Sequence, residues 1–498
     1  MSTGTIMWIF TIILCASFMI IAIRQKGKAE ASFSNYAIGG GTLPLFLIFF
    51  TNFANIMGVG NFIGHSGSAY EQGLPWLAFI WGEQGSKIIF ALVFAGLAGS
   101  FTYNTFPEMI DDLITRDKVT RAMTGVLASC IMIAWVGGQG KAFGTIFETF
   151  TGADPLPIIF LFTGVFIAYT ALGGIYSLVW MDFIMGMVCL LFGGLFYFIA
   201  FKQVDFNLGT LQSRLIEVGK GDLWSFSVED PLSLVSKFVT GCIGILGAQL
   251  YWQPCFAAKG PKTARRGMLS GGIIAIIFVM MTAMVGLVIV TLNQDLTGNE
   301  AMTWFMQNEK LIPPIIALML FLLILAAGMS SADSNLNGAS IVISNDLVKP
   351  FYPKITDKQL VRLARILTVV VGLLAATGAI FADSIMSLFS RAYSMAGAGL
   401  VPLLVIGLIW KEKPKEKFAM GKRNSRVTPW GARSGLLVGS VLSQIPALGA
   451  NSVLWALLIS SVCVIVVSVC TRNIKEPAAL VSEGFTGVNS KLTSGSES

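Results

Sequence analysis

About thirteen apolar stretches fill this chain, roughly at 5–23, 43–64, 75–103, 122–150, 156–173, 179–201, 232–255, 268–292, 313–345, 362–382, 385–410, 430–447 and 452–471. Each approaches or exceeds the ~20 residues that carry a helix across a bilayer. The apolar runs are continuous rather than alternating, which argues against a lipid-embedded β-barrel. Lipid offers backbone groups no partner, so the expected fold is an all-α polytopic membrane protein in the lipid bilayer. Of 498 residues, 54% are hydrophobic and 12% charged, against about 25% charged in soluble domains. The net charge of +7 sits in short loops between the stretches, so it reads as topology and not as a nucleic-acid surface. The 7 cysteines lie in or beside apolar segments without metal or disulfide spacing, as small core residues do. Residues 7–23 lack a basic leader and a clear cleavage site and read as a retained first helix.

Loop charge sets the expected orientation. The loops after the first, third, seventh, ninth and eleventh stretches carry Arg24/Lys26/Lys28, Arg116/Lys118/Arg121, Lys259/Lys262/Arg265/Arg266, Lys349/Lys354/Lys358 and a run from Lys411 to Arg433. The loops at 65–74, 151–155, 383–384 and 448–451 carry neither Lys nor Arg. The positive-inside rule then places the N-terminus outside and the C-terminus in the cytoplasm of a cell membrane. Residues 473–498, rich in Ser, Gly and Thr, read as a disordered cytoplasmic tail.

The ninth stretch breaks the apolar pattern. LLILAAGMSSADSNLNGASIVISND at 322–346 carries Ser330, Ser331, Asp333, Ser334, Asn335 and Asn337 near mid-membrane. An aspartate at a helix centre costs about 2.5–3.5 kcal/mol on insertion scales. Hydroxyls gathered around a carboxylate suit a dehydrated hard cation such as sodium, which points to an ion-coupled carrier. Residues 327, 330 and 331 share one helix face. The second stretch carries Gly58, Gly60, Gly64 and Gly67, which permit either an unwound segment with carbonyls turned to a cavity or close helix packing.

Four segments in order resemble the sodium:solute symporter family: GGGTLPLFLIFFTNFANIMGVGNFIGHSGSAYEQGL, YTALGGIYSLVWMDFIMG, FAAKGPKTARRG and AAGMSSADSNLNGASIVISND. The resemblance covers about residues 36 to 410. It implies a LeuT-like core of two five-helix inverted repeats, 36–231 and 232–410, with 1–35 and 411–472 as periphery. It also implies a principal sodium site made of the carbonyls of Ala54, Met57 and Ala327 and the hydroxyls of Ser330 and Ser331. A second site for sodium or a proton would involve Asn61, Asp182, Ser330, Asp333 and Ser334. Two carboxylates close together call for a cation or a proton between them. Met181 and Met185 depart from the family signature, where Thr and Gln are usual, and this weakens the case for that second site.

The expected cargo is a small-molecule solute, taken up with Na+ as the coupling ion. By the same resemblance, Asn61, Gln139, Gln249 and Gln253 are candidates to face it. From the residues themselves, Glu83, Gln84, Lys141, Ser390, Arg391 and Ser394 join them as polar groups within or at the ends of apolar spans. Glu83 and Lys87 are four residues apart and can neutralise each other on one helix face. Lys141 and Arg391 would suit a solute carboxylate or an amino acid, with snorkelling to an interface as the alternative. His65, the single histidine, reads as a local structural residue. Two other functions stand beside a symporter: a transporter-like membrane sensor, and an integral membrane enzyme. The enzyme is disfavoured because no nucleotide loop or clustered metal ligands accompany the one histidine.

Overall fold

The computed structural model describes residues 3–485, and among these no strand longer than an isolated bridge forms. Every apolar stretch is helical. The long elements are α1 (Thr3–Ala29), α2 (Leu45–Ile56), α3 (Gly60–Gln72), α4 (Leu77–Val93), α5 (Lys118–Thr151), α6 (Pro155–Lys202) and α7 (Pro231–Gly247). They continue as α8 (Gln249–Ala257), α9 (Pro261–Leu292), α10 (Pro314–Val342), α11 (Asp357–Phe381), α12 (Ile385–Ile409), α13 (Pro429–Leu442) and α14 (Ser452–Cys470). Nine described helical segments are long and apolar enough to cross a membrane, or ten if the bent pair α2 and α3 is one span. α6 carries two of the sequence stretches in one run, turning at Gly174, whose φ of 53° is the left-handed region open to glycine.

Burial sorts centre from edge. α10 is the most enclosed of the long helices, and α1 and α14 are among the least. α10 lies along α5 and α6, α7 along α4, and α12 along both α5 and α7. α13 and α14 pair with each other and lean on α12.

Two spans are broken. α2 stops at Ile56, and α3 leaves at 44° to it. The α7–α8 run breaks at Ala248, which is extended (φ −84°, ψ 120°). Such breaks free backbone groups that must find partners where no water is present. Gln139 of α5 supplies one: its Oε1 accepts the Val59 N–H at 3.0 Å.

The basic loops gather at one face of the bundle. There Arg121 meets Asp346 at 2.8 Å, Glu108 at 3.3 Å and Asp111 at 3.6 Å. Asp117 caps α5 through the Thr120 N–H at 2.6 Å and takes Arg433 of α13 at 2.6 and 3.0 Å. The described part of the tail departs from the disorder expected of it. Glu476 pairs with Arg433 at 3.0 Å, the Ser482 N–H donates to the Arg116 carbonyl, and the Phe485 N–H donates to Asp112. The Phe485 ring packs on Tyr103 at 5.5 Å. One aromatic ring and a string of main-chain bonds offset the ordering cost that composition alone suggested. Residues 486–498 of that tail lie outside the described residues.

Candidate functional site

The break in α2–α3 meets the polar centre of α10. The Ser331 hydroxyl donates to the carbonyl of Asn55, one residue before α2 ends, at 3.0 Å. The approach is close enough that a Cβ on Gly58 would lie 2.4 Å from Ser331 Oγ, so glycine is required there. Ala54, Met57, Ala327, Ser330 and Ser331 are all buried. The neighbouring Ser330 hydroxyl donates to Asp182 of α6, and Asn55 Nδ2 lies 3.4 Å from the other oxygen of that carboxylate.

Around this junction buried oxygens go unpaired. The Asp333 carboxylate has only the adjacent Ser334 beside it as a donor, and the side-chain oxygens of Asn55, Asn61 and Asn335 have no hydrogen-bond partner. Buried polar atoms are normally satisfied. The open oxygens of Asp333 and Asn55 make a donor set suited to a hard monovalent cation. Asp182 and Ser334 line a small cavity that Asn55 also borders, whereas Asn61 faces the larger central cavity. Asn55, which was not singled out from the sequence, thus stands where Asn61 was expected beside Asp182.

The central cavity lies between the break, α4, α5, α8, α10 and α12. Asn61, Glu83, Gln84, Gln139 and Ser331 line it, joined by His65, Lys87, Trp135, Tyr251 and Tyr393. Glu83 is the hub of a buried network. It accepts from Tyr393 OH at 2.7 Å, Gln84 Nε2 at 2.6 Å and His65 Nε2 at 3.1 Å. Trp76 Nε1 donates to His65 Nδ1 at 3.2 Å, which leaves Nε2 as the ring N–H of the neutral imidazole. Trp135 Nε1 donates in turn to Tyr393 OH at 2.9 Å. The side-chain partner of Glu83 is the neutral His65 imidazole, through a hydrogen bond, rather than Lys87. Lys87 Nζ instead donates to Gln84 Oε1 at 2.6 Å and lies over the Tyr251 ring, so the expected direct Glu83–Lys87 pair is replaced by a bridge through Gln84.

Other residues expected at the solute lie elsewhere. Gln249 accepts the Phe106 N–H at 2.6 Å and fastens the start of the short helix before α5. Gln253 donates to the Ala37 carbonyl at 2.7 Å and lines the smaller cavity with Asp182. Lys141 is spent on the Ala382 carbonyl at 2.5 Å. Arg391 is largely exposed, pairs with Asp383 at 3.4 Å, and shares with Ser390 and Ser394 a cleft at the face opposite the basic loops. These two cations satisfy themselves at helix ends, as long basic side chains do.

A bundle with paired broken spans, a cation-ready junction and an enclosed polar cavity defines an ion-coupled carrier of the LeuT-like fold. The pattern of the sodium:solute symporter family matches residues 36–421, and the chain belongs to that family. It is 26% identical to the high-affinity proline transporter PutP of Bacillus subtilis (strain 168), covering 77% of this chain and 80% of that one. It is 25% identical to the sodium/pantothenate symporter of Escherichia coli (strain K12), covering 90% and 92%. Among solved structures, a Na+-coupled sialic acid symporter in its substrate-bound outward-open state superposes with a TM-score of 0.76 at 19% identity, over 96% of this chain and 99% of that one. The inward-facing conformation of Mhp1 gives 0.57 at 15% identity, over 88% and 92%. The protein is a multi-pass membrane symporter that couples Na+ to a small organic solute; it is a transporter and not an enzyme.

Proposed function

We propose that the chain imports its solute by alternating access, with sodium held between the end of α2 and the centre of α10. The ligands are the carbonyls of Ala54, Met57 and Ala327 and the hydroxyls of Ser330 and Ser331. The observation that carries this reading is the Ser331–Asn55 contact amid unpaired buried oxygens. Asp182, Asp333, Ser334 and Asn55 form the second position, occupied by sodium or by a proton on Asp333. The central cavity holds the solute. Segments 36–231 and 232–410 act as the two inverted repeats, and the basic face lies in the cytoplasm with the N-terminus outside.

An ion that ties α2 to α10 stabilises one arrangement of the two and shapes the adjoining cavity, so sodium and solute each tighten the other. Low internal sodium then favours release inside. Melting of the purified chain in sodium against potassium tests the assignment. Sodium raises the melting temperature of the wild type by mass action, and Ser331→Ala reduces that rise. An unchanged rise in Ser331→Ala refutes the site.

A further inference from the structure

We infer that Lys87 receives a carboxylate of the solute, and that the central cavity selects a small acid bearing one hydrogen-bond donor, such as a 2-hydroxy or 2-amino acid. The inference rests on the reading of that cavity as the solute site.

Lys87 is 2% exposed and lines the cavity. An ammonium has three N–H donors. One goes to Gln84 Oε1, and the Tyr251 ring lies 5.5 Å away on another side. A buried lysine without a direct carboxylate partner is costly. The nearest acid, Glu83, already accepts from three donors. Glu83, bridged through Gln84, balances the charge of Lys87 without a direct hydrogen bond to it, and a solute carboxylate would take the remaining Lys87 donors in charge-assisted bonds that Glu83 does not make.

The opposite need is written on the other wall. Asn335 Nδ2 donates to the Ser331 carbonyl at 2.7 Å. Its Oδ1 atom and that of Asn61 have no donor, and both residues line the cavity. A hydroxyl or ammonium on the solute would answer them. Size narrows the class. The cavity volume is ≈ 40 Å³, room for about three waters at ~10–15 Å³ each, and Trp135, Phe389 and Tyr393 wall it.

The test uses the full-length chain in detergent with sodium present, and titrates lactate, alanine, propionate and the neutral amides lactamide and alaninamide. Lactate or alanine binds at least ten-fold more tightly than its amide, and propionate, lacking the donor, binds less tightly than lactate. Lys87→Gln weakens acid binding ten-fold or more and brings acid and amide to parity, while Lys87→Arg keeps the preference for the acid. Equal binding of acid and amide by the wild type, undiminished acid binding by Lys87→Gln, or binding of none of the acids overturns the inference. Propionate binding as tightly as lactate removes the donor requirement and overturns that part of it. Sodium-induced stabilisation without any acid is read in the same samples. Its presence in Lys87→Gln reports a folded chain, and its absence from the wild type would count against the ion site instead. The comparison of acid with amide in the wild type stands even if both variants fail to fold.

Discussion

The Ser330 hydroxyl donates to Asp182 across 148 positions of sequence, tying α10 to α6 beside the break in α2. Ser331, next in the chain, donates to the Asn55 carbonyl on α2. Two adjacent hydroxyls therefore reach two different helices, and a cation lodged among them would feel the position of both.

This coupling is measurable. Ser330→Ala and Asp182→Asn should each weaken sodium binding about ten-fold, the worth of one hydrogen bond to a charged group at ~1.5 kcal/mol. In the double variant the losses should fall short of additive, because both single changes remove the same contact. Sodium titration of tryptophan fluorescence reads the cycle, and strict additivity would show that the two residues act apart.

Gly58→Ala should abolish sodium-dependent stabilisation while leaving the fold intact. The added methyl would meet Ser331 Oγ at 2.4 Å and Cβ at 2.9 Å, forcing α2 and α10 apart at a cost of ~1–3 kcal/mol. Normal sodium response in this variant would mean the junction is looser than its geometry implies.

Two glycines of α4 give an internal control for packing. A Cβ on Gly82 would meet the Phe238 carbonyl oxygen at 1.8 Å, whereas one on Gly85 meets nothing within 4 Å. Gly82→Ala should lower the melting temperature sharply, since backbone must move. Gly85→Ala should raise it slightly, by the ~1 kcal/mol that alanine gains over glycine in a helix. Differential scanning fluorimetry separates them.

Asp111, in the short helical turn before α5, makes stability depend on pH. Burial pushes its carboxyl up from 3.8 to about 6, against the pull of Arg121. Between those values the folded chain holds a proton that the unfolded chain has lost, so the contribution of Asp111 to stability falls as pH rises from about 4 to about 6. The loss is at most about 3 kcal/mol at ~1.36 kcal/mol per pH unit. Asp111→Asn, which keeps an acceptor for the Asp117 N–H, should melt at a temperature less dependent on pH across that window. Parallel pH profiles for the two proteins would rule the effect out.

The apolar stretches and the polar face of α10 were legible because both are local: one is a run and the other a spacing of three and four. The network around Glu83 was not, since Tyr393 lies 310 positions away and its hydroxyl approaches only through folding. Spacing also misled at Lys87, where helical neighbourhood suggested a pair with Glu83 and the side chain turned to Gln84 instead. Lys141 and Arg391 stood out as intramembrane cations, yet a carbonyl at a helix end and an exposed aspartate satisfy them. The serine-rich tail hid its anchors, Glu476 and Phe485, among residues that say little alone.

A hydroxyl has a single hydrogen, and in Ser330 it is turned toward Asp182. The lone pairs are thereby fixed on the far side, so an arriving cation meets the negative end of that dipole without waiting for it to rotate. The aspartate works as a magnet beside a compass needle: it can orient an ion's ligand without itself touching the ion.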